Sequence, residues 1–154
     1  MPAPIISWYQ SDNIAQVTRW DIGTVDAGTA SADFHVLVWN NRGGSTAVSD
    51  MTNCKVTTKD TAGTDTGELV TNTWIQAKVL SQNETTYTAI GGTNSHDVKA
   101  GGTAPANTVS GGANDGTVSN AAINFADLVL RAFPPANATA GHVDFLTRIS
   151  YSYV

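Results

Sequence analysis

The chain has 154 residues, a formal net charge of −5 and only 14% charged side chains, well below the roughly 25% of ordinary soluble proteins. That length suits one hydrophobic core, and an acidic balance without a Lys or Arg cluster argues against direct binding to a nucleic-acid backbone. Uncharged Thr, Asn, Ser and Gly supply the polar positions, which suits a pleated, turn-rich all-β fold better than a helical enzyme rich in Glu and Lys.

The opening "MPAPIISWYQSDN" has no basic flank, and its apolar run is too short for a signal peptide or a membrane span, so cytoplasmic synthesis without a membrane anchor is expected. Residues 1–19 read as an N-terminal arm and residues 20–154 as one domain. Trp8 and Tyr9 lie on that arm, and two large rings there point to docking on another protein surface. The first confident strand follows. Phe34, Val36 and Val38 point one way and His35, Leu37 and Trp39 the other, and "NNRGG" supplies residues that tolerate positive φ where the strand must turn. "KVTTKD" and "GELV" flank "TAGTDT" as an expected hairpin. "NTWIQAKVLS" and "TYTAIGG" flank "QNET" as another, with Ile75, Ala77 and Val79 opposed to Trp74, Gln76 and Lys78.

Residues 91–121 change texture, with three Gly pairs and almost no large apolar side chain. A stretch this long without a core signal is an ordered insertion packed on a neighbouring subunit, an exposed binding loop, or a flexible segment. "INFADLVLRAF" is apolar on both faces, as a central strand is. "HVDFLTRISYSYV" alternates, with Val143, Phe145, Thr147, Ile149, Tyr151 and Tyr153 on one face. Pro134, Pro135 and Gly141 separate these two strands, which are expected to pair as antiparallel neighbours.

No residue pattern points to catalysis, a metal or a cofactor. Cys54 is single and reads as a small residue at the mouth of a strand. His35, His96 and His142 lie in separate regions without ligand spacing, and His96 beside Asp97 reads as a solvated pair. Asp60, Asp65 and Glu68, and the Asn114–Asp115 turn, could offer oxygens to calcium, but tight turns explain them better. Trp8, Trp20, Trp39 and Trp74 could stack on a sugar, although Trp39 and Trp74 read first as core. Trp8, Tyr9, Arg42 and His96 remain as candidate protein-contact residues.

Several segments together resemble a known group. "WDIGTVDAGTAS" followed by "VLVWNNRGG", and the closing "RAFPPANATAGHVDFLTRISYSY", resemble strands of immunoglobulin-like sandwiches. With "SDMTNCKVTTKD", most of residues 20–154 is similar to small Ig-like virion structural proteins of tailed bacteriophages. The resemblance implies an immunoglobulin-like antiparallel β-sandwich with an N-terminal arm and a Gly-rich insertion. It further implies a non-enzymatic homo-oligomer that decorates the capsid, is made in the bacterial host cytoplasm and contacts the major capsid protein. A carbohydrate-binding or adhesin-type module on a tail or baseplate, meeting a host-surface glycan, is the alternative. The group brings no catalytic, cofactor or metal residues.

Overall fold

The alternation at residues 34–39 forms β2 (Phe34–Asn40) and sends its two faces into different surroundings. Val36 and Val38 enter the main core, whereas Leu37 and Trp39 enter a smaller cluster with Ala121 and Phe125 on the opposite face. β7 (Phe125–Ala132) sorts in the same way, with Ala126, Leu128, Leu130 and Ala132 in the main core. A strand covered on both faces belongs in the middle of a sheet, and β7 is bonded on one edge to β2 and on the other to β4 (Ile75–Val79). Fully burying Leu128 and Leu130, both at 0% exposure, stabilises the fold by about 1.5–3 kcal/mol each.

The computed structural model describes residues 1–154 and contains two antiparallel sheets. The larger adds β1 (Ile6–Gln10) and β5 (Thr88–Ile90), in the order β1-β2-β7-β4-β5. The smaller has the order β6-β3-β8, from β3 (Thr52–Lys59), β6 (His96–Asp97) and β8 (Leu146–Ser152). Cys54 and Val56 of β3 share a 20-residue core with the inner side chains of the larger sheet, and Ile149 and Tyr151 of β8 pack against it half-buried. The two sheets therefore form an all-β sandwich. The hairpin expected around "QNET" is present, with Ile75 opposite Ile90 and Ala77 opposite Thr88. Ile75, Ala77 and Val79 are buried between the less buried Gln76 and Lys78, but Trp74 is buried too.

Three expectations need correction. The last two strands are not neighbours: β8 pairs with β3 in the other sheet. Both edges of β7 are already taken by β2 and β4, so the chain leaves through Pro134 and Pro135 and crosses to the opposite layer. "GELV" is not a strand, because Glu68–Thr71 form a single helical turn, α1, after Gly67 at φ 88°. The adjacent Leu69 and Val70 are both buried, which a turn of helix permits and strand alternation does not. The N-terminal arm is no free arm, since β1 pairs along its length with β2, from Ile6 opposite Asn40 to Gln10 opposite Val36.

Residues 91–121 are ordered against their own chain. Val98, Ala100, Ala104 and Val109 enter the main core, and Met51 and Val109 exchange backbone hydrogen bonds of 3.0 and 2.9 Å. Small residues permit this approach. A Cβ on Gly111 would stand 2.3 Å from the Val48 carbonyl oxygen and 2.5 Å from that of Ser49.

Two buried asparagines fasten the segment. Asn40 Nδ2 donates to the Ser49 carbonyl at 3.0 Å and the Val109 carbonyl at 3.3 Å, while its Oδ1 accepts from Ile5 N–H at 3.1 Å. Asn41, at φ 59°, donates from Nδ2 to the carbonyls of Thr46 and Gly111, both at 2.9 Å. Ser49 in turn joins both chain ends, its N–H donating to Pro2 at 2.9 Å and its hydroxyl to Val154 at 2.6 Å.

Candidate functional site

Successive residues of a strand point to opposite faces, so β1 sends Trp8 and Tyr9 to different places. Tyr9 joins the outer cluster of Leu37, Trp39, Ala121 and Phe125. The Arg42 guanidinium lies 3.9 Å from the Tyr9 ring centroid, donating from Nε to Asn13 Oδ1 at 3.0 Å and from Nη2 to the Asn13 carbonyl at 2.8 Å. Cation–π contact and two hydrogen bonds thus spend Arg42 inside its own chain. Tyr9 and Arg42 come together, and Trp8 and His96 lie elsewhere.

His96 is not the solvated side chain its loop composition predicts. It sits in β6 opposite Val56, with Nε2 2.7 and 2.9 Å from the two carboxylate oxygens of Glu84. Burial pushes the Glu84 carboxyl up, but the Val79 amide, His96 and Gln82 together outweigh this and leave it below its usual range. Asp97 is held low chiefly by the Lys55 ammonium at 2.6 Å. The His96–Glu84 pair closes the turn after β4 onto β6.

The other polar groups singled out in the sequence are also occupied structurally. Asp60 accepts from the Thr64 and Thr66 hydroxyls and from the Ala62, Thr64 and Thr66 amides, which depress its carboxyl strongly and organise the 60–66 turn. Asp115 is drawn down to about 2 by Asn120 and then Thr117. These are turn geometries, as the composition implied. Cys54 is buried within β3, and burial pushes its thiol up to about 11. His35 bonds Asp127 across β2 and β7 on the outer face. No three His, Cys, Asp or Glu side chains converge as a metal would require, and no helix is long and apolar enough to cross a membrane.

Trp8 faces an open cleft of about 880 Å³ on one flank, lined by residues of both sheets. Its walls are residues 17–21 and 141–147, and Leu130 and Phe34 reach it from the larger sheet. Trp20 stacks on Phe34 with centroids 5.0 Å apart and takes Phe145 edge-on at 5.8 Å. Arg19, Asp21, His142 and Asp144 also line it, with His142 Nε2 3.0 Å from Asp144 Oδ1. Such a cleft can receive an apolar or stacking group beside charges of both signs. Only Trp8 among the four candidate contact residues lines it. Trp20 and Phe145 were legible as aromatics, but nothing in their spacing brings them together across 125 residues of chain.

No known protein family matches the chain, and no curated protein and no solved structure matches it either.

Proposed function

We propose that the chain is a non-enzymatic structural protein of a tailed-bacteriophage virion, a capsid decoration or accessory component that associates with itself and with the major capsid protein. On this reading the sandwich is of the immunoglobulin-like kind. One observation carries it: outside the flank cleft, the side chains able to do chemistry are held in pairs and turns of the fold itself. Histidine and acid are paired as His35–Asp127 and His96–Glu84, Asp60 and Asp115 organise turns, and the thiol of Cys54 is buried. What is left outside is a weakly charged, hydroxyl-rich surface, with few ions to desolvate when copies meet. Contacts of the usual size, burying roughly 1,600 Å² each, become collectively strong when displayed symmetrically on a particle.

Size-exclusion chromatography with light scattering, followed by particle binding, tests this proposal. A defined homo-oligomer that sediments with capsids is expected, and a strict monomer at high concentration that binds no particle refutes it.

The aromatic flank cleft favours one second reading, a glycan-binding module on a tail or baseplate. A glycan array decides it: sugar binding abolished by Trp20→Ala supports the module, and an array without specific binding removes it.

A further inference from the structure

A sandwich of two open sheets has four edge strands, and this protein treats them unequally. β1 is closed by the chain that follows it, Gln10 N–H donating to Ala15 at 2.9 Å and Val17 N–H to Trp8 at 2.7 Å. β6 spans only His96–Asp97, and β5 only Thr88–Ile90 before the Gly91–Asn94 bridge. Short or covered edges are the usual guards against strand pairing between chains. β8 has neither guard. It runs from Leu146 to Ser152, bonds β3 on one side and no strand on the other. It contains no proline and one charge, Arg148.

We propose that the free edge of β8 is a self-association interface, pairing antiparallel with β8 of a second copy about a two-fold axis through Ile149. This rests on the reading that the chain assembles with itself, and names the surface. The register follows from the strand. A two-fold axis normal to a sheet keeps each face on its own side, so only residues of equal parity can oppose one another. Centring on Ile149 pairs the whole strand: Leu146 meets Ser152 of the second copy, Thr147 meets Tyr151, and Arg148 meets Ser150. Centring one residue earlier would set Arg148 against Arg148, which like-charge repulsion disfavours.

The burial pattern fits the same occupant. Thr147, Ile149 and Tyr151 face the core yet stay only half-buried, alternating with exposed neighbours. A second strand would extend the sheet to β6-β3-β8 and its symmetry mate, and cover those side chains with identical ones. The flank cleft runs into this edge, since Leu146 and Thr147 line it, so Trp8 and Trp20 lie beside the joint.

Cysteine cross-linking reads the register directly. Arg148 and Ser150 are exposed, and the native Cys54 is buried and does not compete. Directly opposed positions on paired strands bring Cβ atoms to about 4.5–5.5 Å, close to disulfide range, whereas a two-residue offset places them about 7–8 Å apart. Full chains carrying Arg148→Cys and Ser150→Cys, differently tagged and co-expressed, are expected to cross-link with each other under mild oxidation. Neither is expected to cross-link with itself, and melting temperatures like the wild type's would show that the fold is intact. An oligomer by light scattering with no mixed cross-link, or with each variant cross-linking to itself, overturns the edge pairing while leaving self-assembly standing. A wild-type chain that stays monomeric at every concentration overturns both.

Discussion

Replacing Asn40 with alanine should destabilise the protein far more than its polar character predicts. The side chain is 0% exposed and joins three stretches of chain through Ile5, Ser49 and Val109. Val109 keeps a second donor, the Met51 amide at 3.0 Å, so the alanine variant orphans two groups, the Ile5 N–H and the Ser49 carbonyl. A buried unpaired group costs about 1–3 kcal/mol. Because Ile5 is itself exposed, its amide falls at the low end, and a loss of about 3 kcal/mol results. For a chain of this size that lowers Tm by about 6–12 °C. Asn40→Asp refines the test. It keeps the acceptor for Ile5 but turns a carboxylate oxygen toward two carbonyls, so its folded-state pKa must rise above the unfolded value. Relative to the wild type, its stability should then be highest below the unfolded pKa of about 3.9 and should fall as pH rises through the folded pKa. Urea unfolding of both variants at several pH values measures this. If both unfold within about 0.5 kcal/mol of the wild type, the asparagine is no weld.

Gly111→Ala should greatly reduce soluble yield or Tm, because its Cβ would meet the Val48 and Ser49 carbonyls, whereas Gly112→Ala, whose nearest contact is 3.4 Å away, should be tolerated. Differential scanning fluorimetry compares them. The lowered Glu84 carboxyl contributes stability that is present above its unfolded pKa and lost as pH falls through the folded one. Glu84→Gln should therefore be less stable than the wild type near neutrality and converge with it in acid, as thermal melts across pH would report. Asp60→Ala should speed amide exchange at Ala62, Thr64 and Thr66 while leaving Tm nearly unchanged, since the turn is exposed. Cys54, with its thiol buried and pushed up to about 11, should react with a thiol reagent only at the rate at which the fold opens.

Much of the layer structure could be read from one-dimensional pattern. Alternation at Phe34–Asn40 and Leu146–Ser152, and the two-faced apolar run of β7, identified real strands because side-chain direction has a period of two. Pairing was harder. β7 and β8 follow one another, but a central strand has no free edge to offer, and which strands occupied it depended on contacts distant in sequence. The helical turn at Glu68–Thr71 escaped because four residues carry almost no periodic signal. Residues 91–121 look coreless because their buried side chains are small, Ala, Val and Thr108, spaced irregularly among glycines. Of the candidate contacts, Tyr9 and Arg42 are legible as residues, but nothing in their spacing shows that the guanidinium lies over the ring. The cleft aromatics Trp20, Phe34 and Phe145 are united only by the final fold.

Ser49 holds Pro2 with its amide and Val154 with its hydroxyl, so residues 2 and 154 stand at one pole of the sandwich. A short peptide joining them would close the backbone into a ring, and the ring could be reopened at the exposed 60–66 turn to yield a circular permutant with unaltered sheets. Passenger peptides attached at either extremity would emerge side by side, away from the turn where a permutant would be cut.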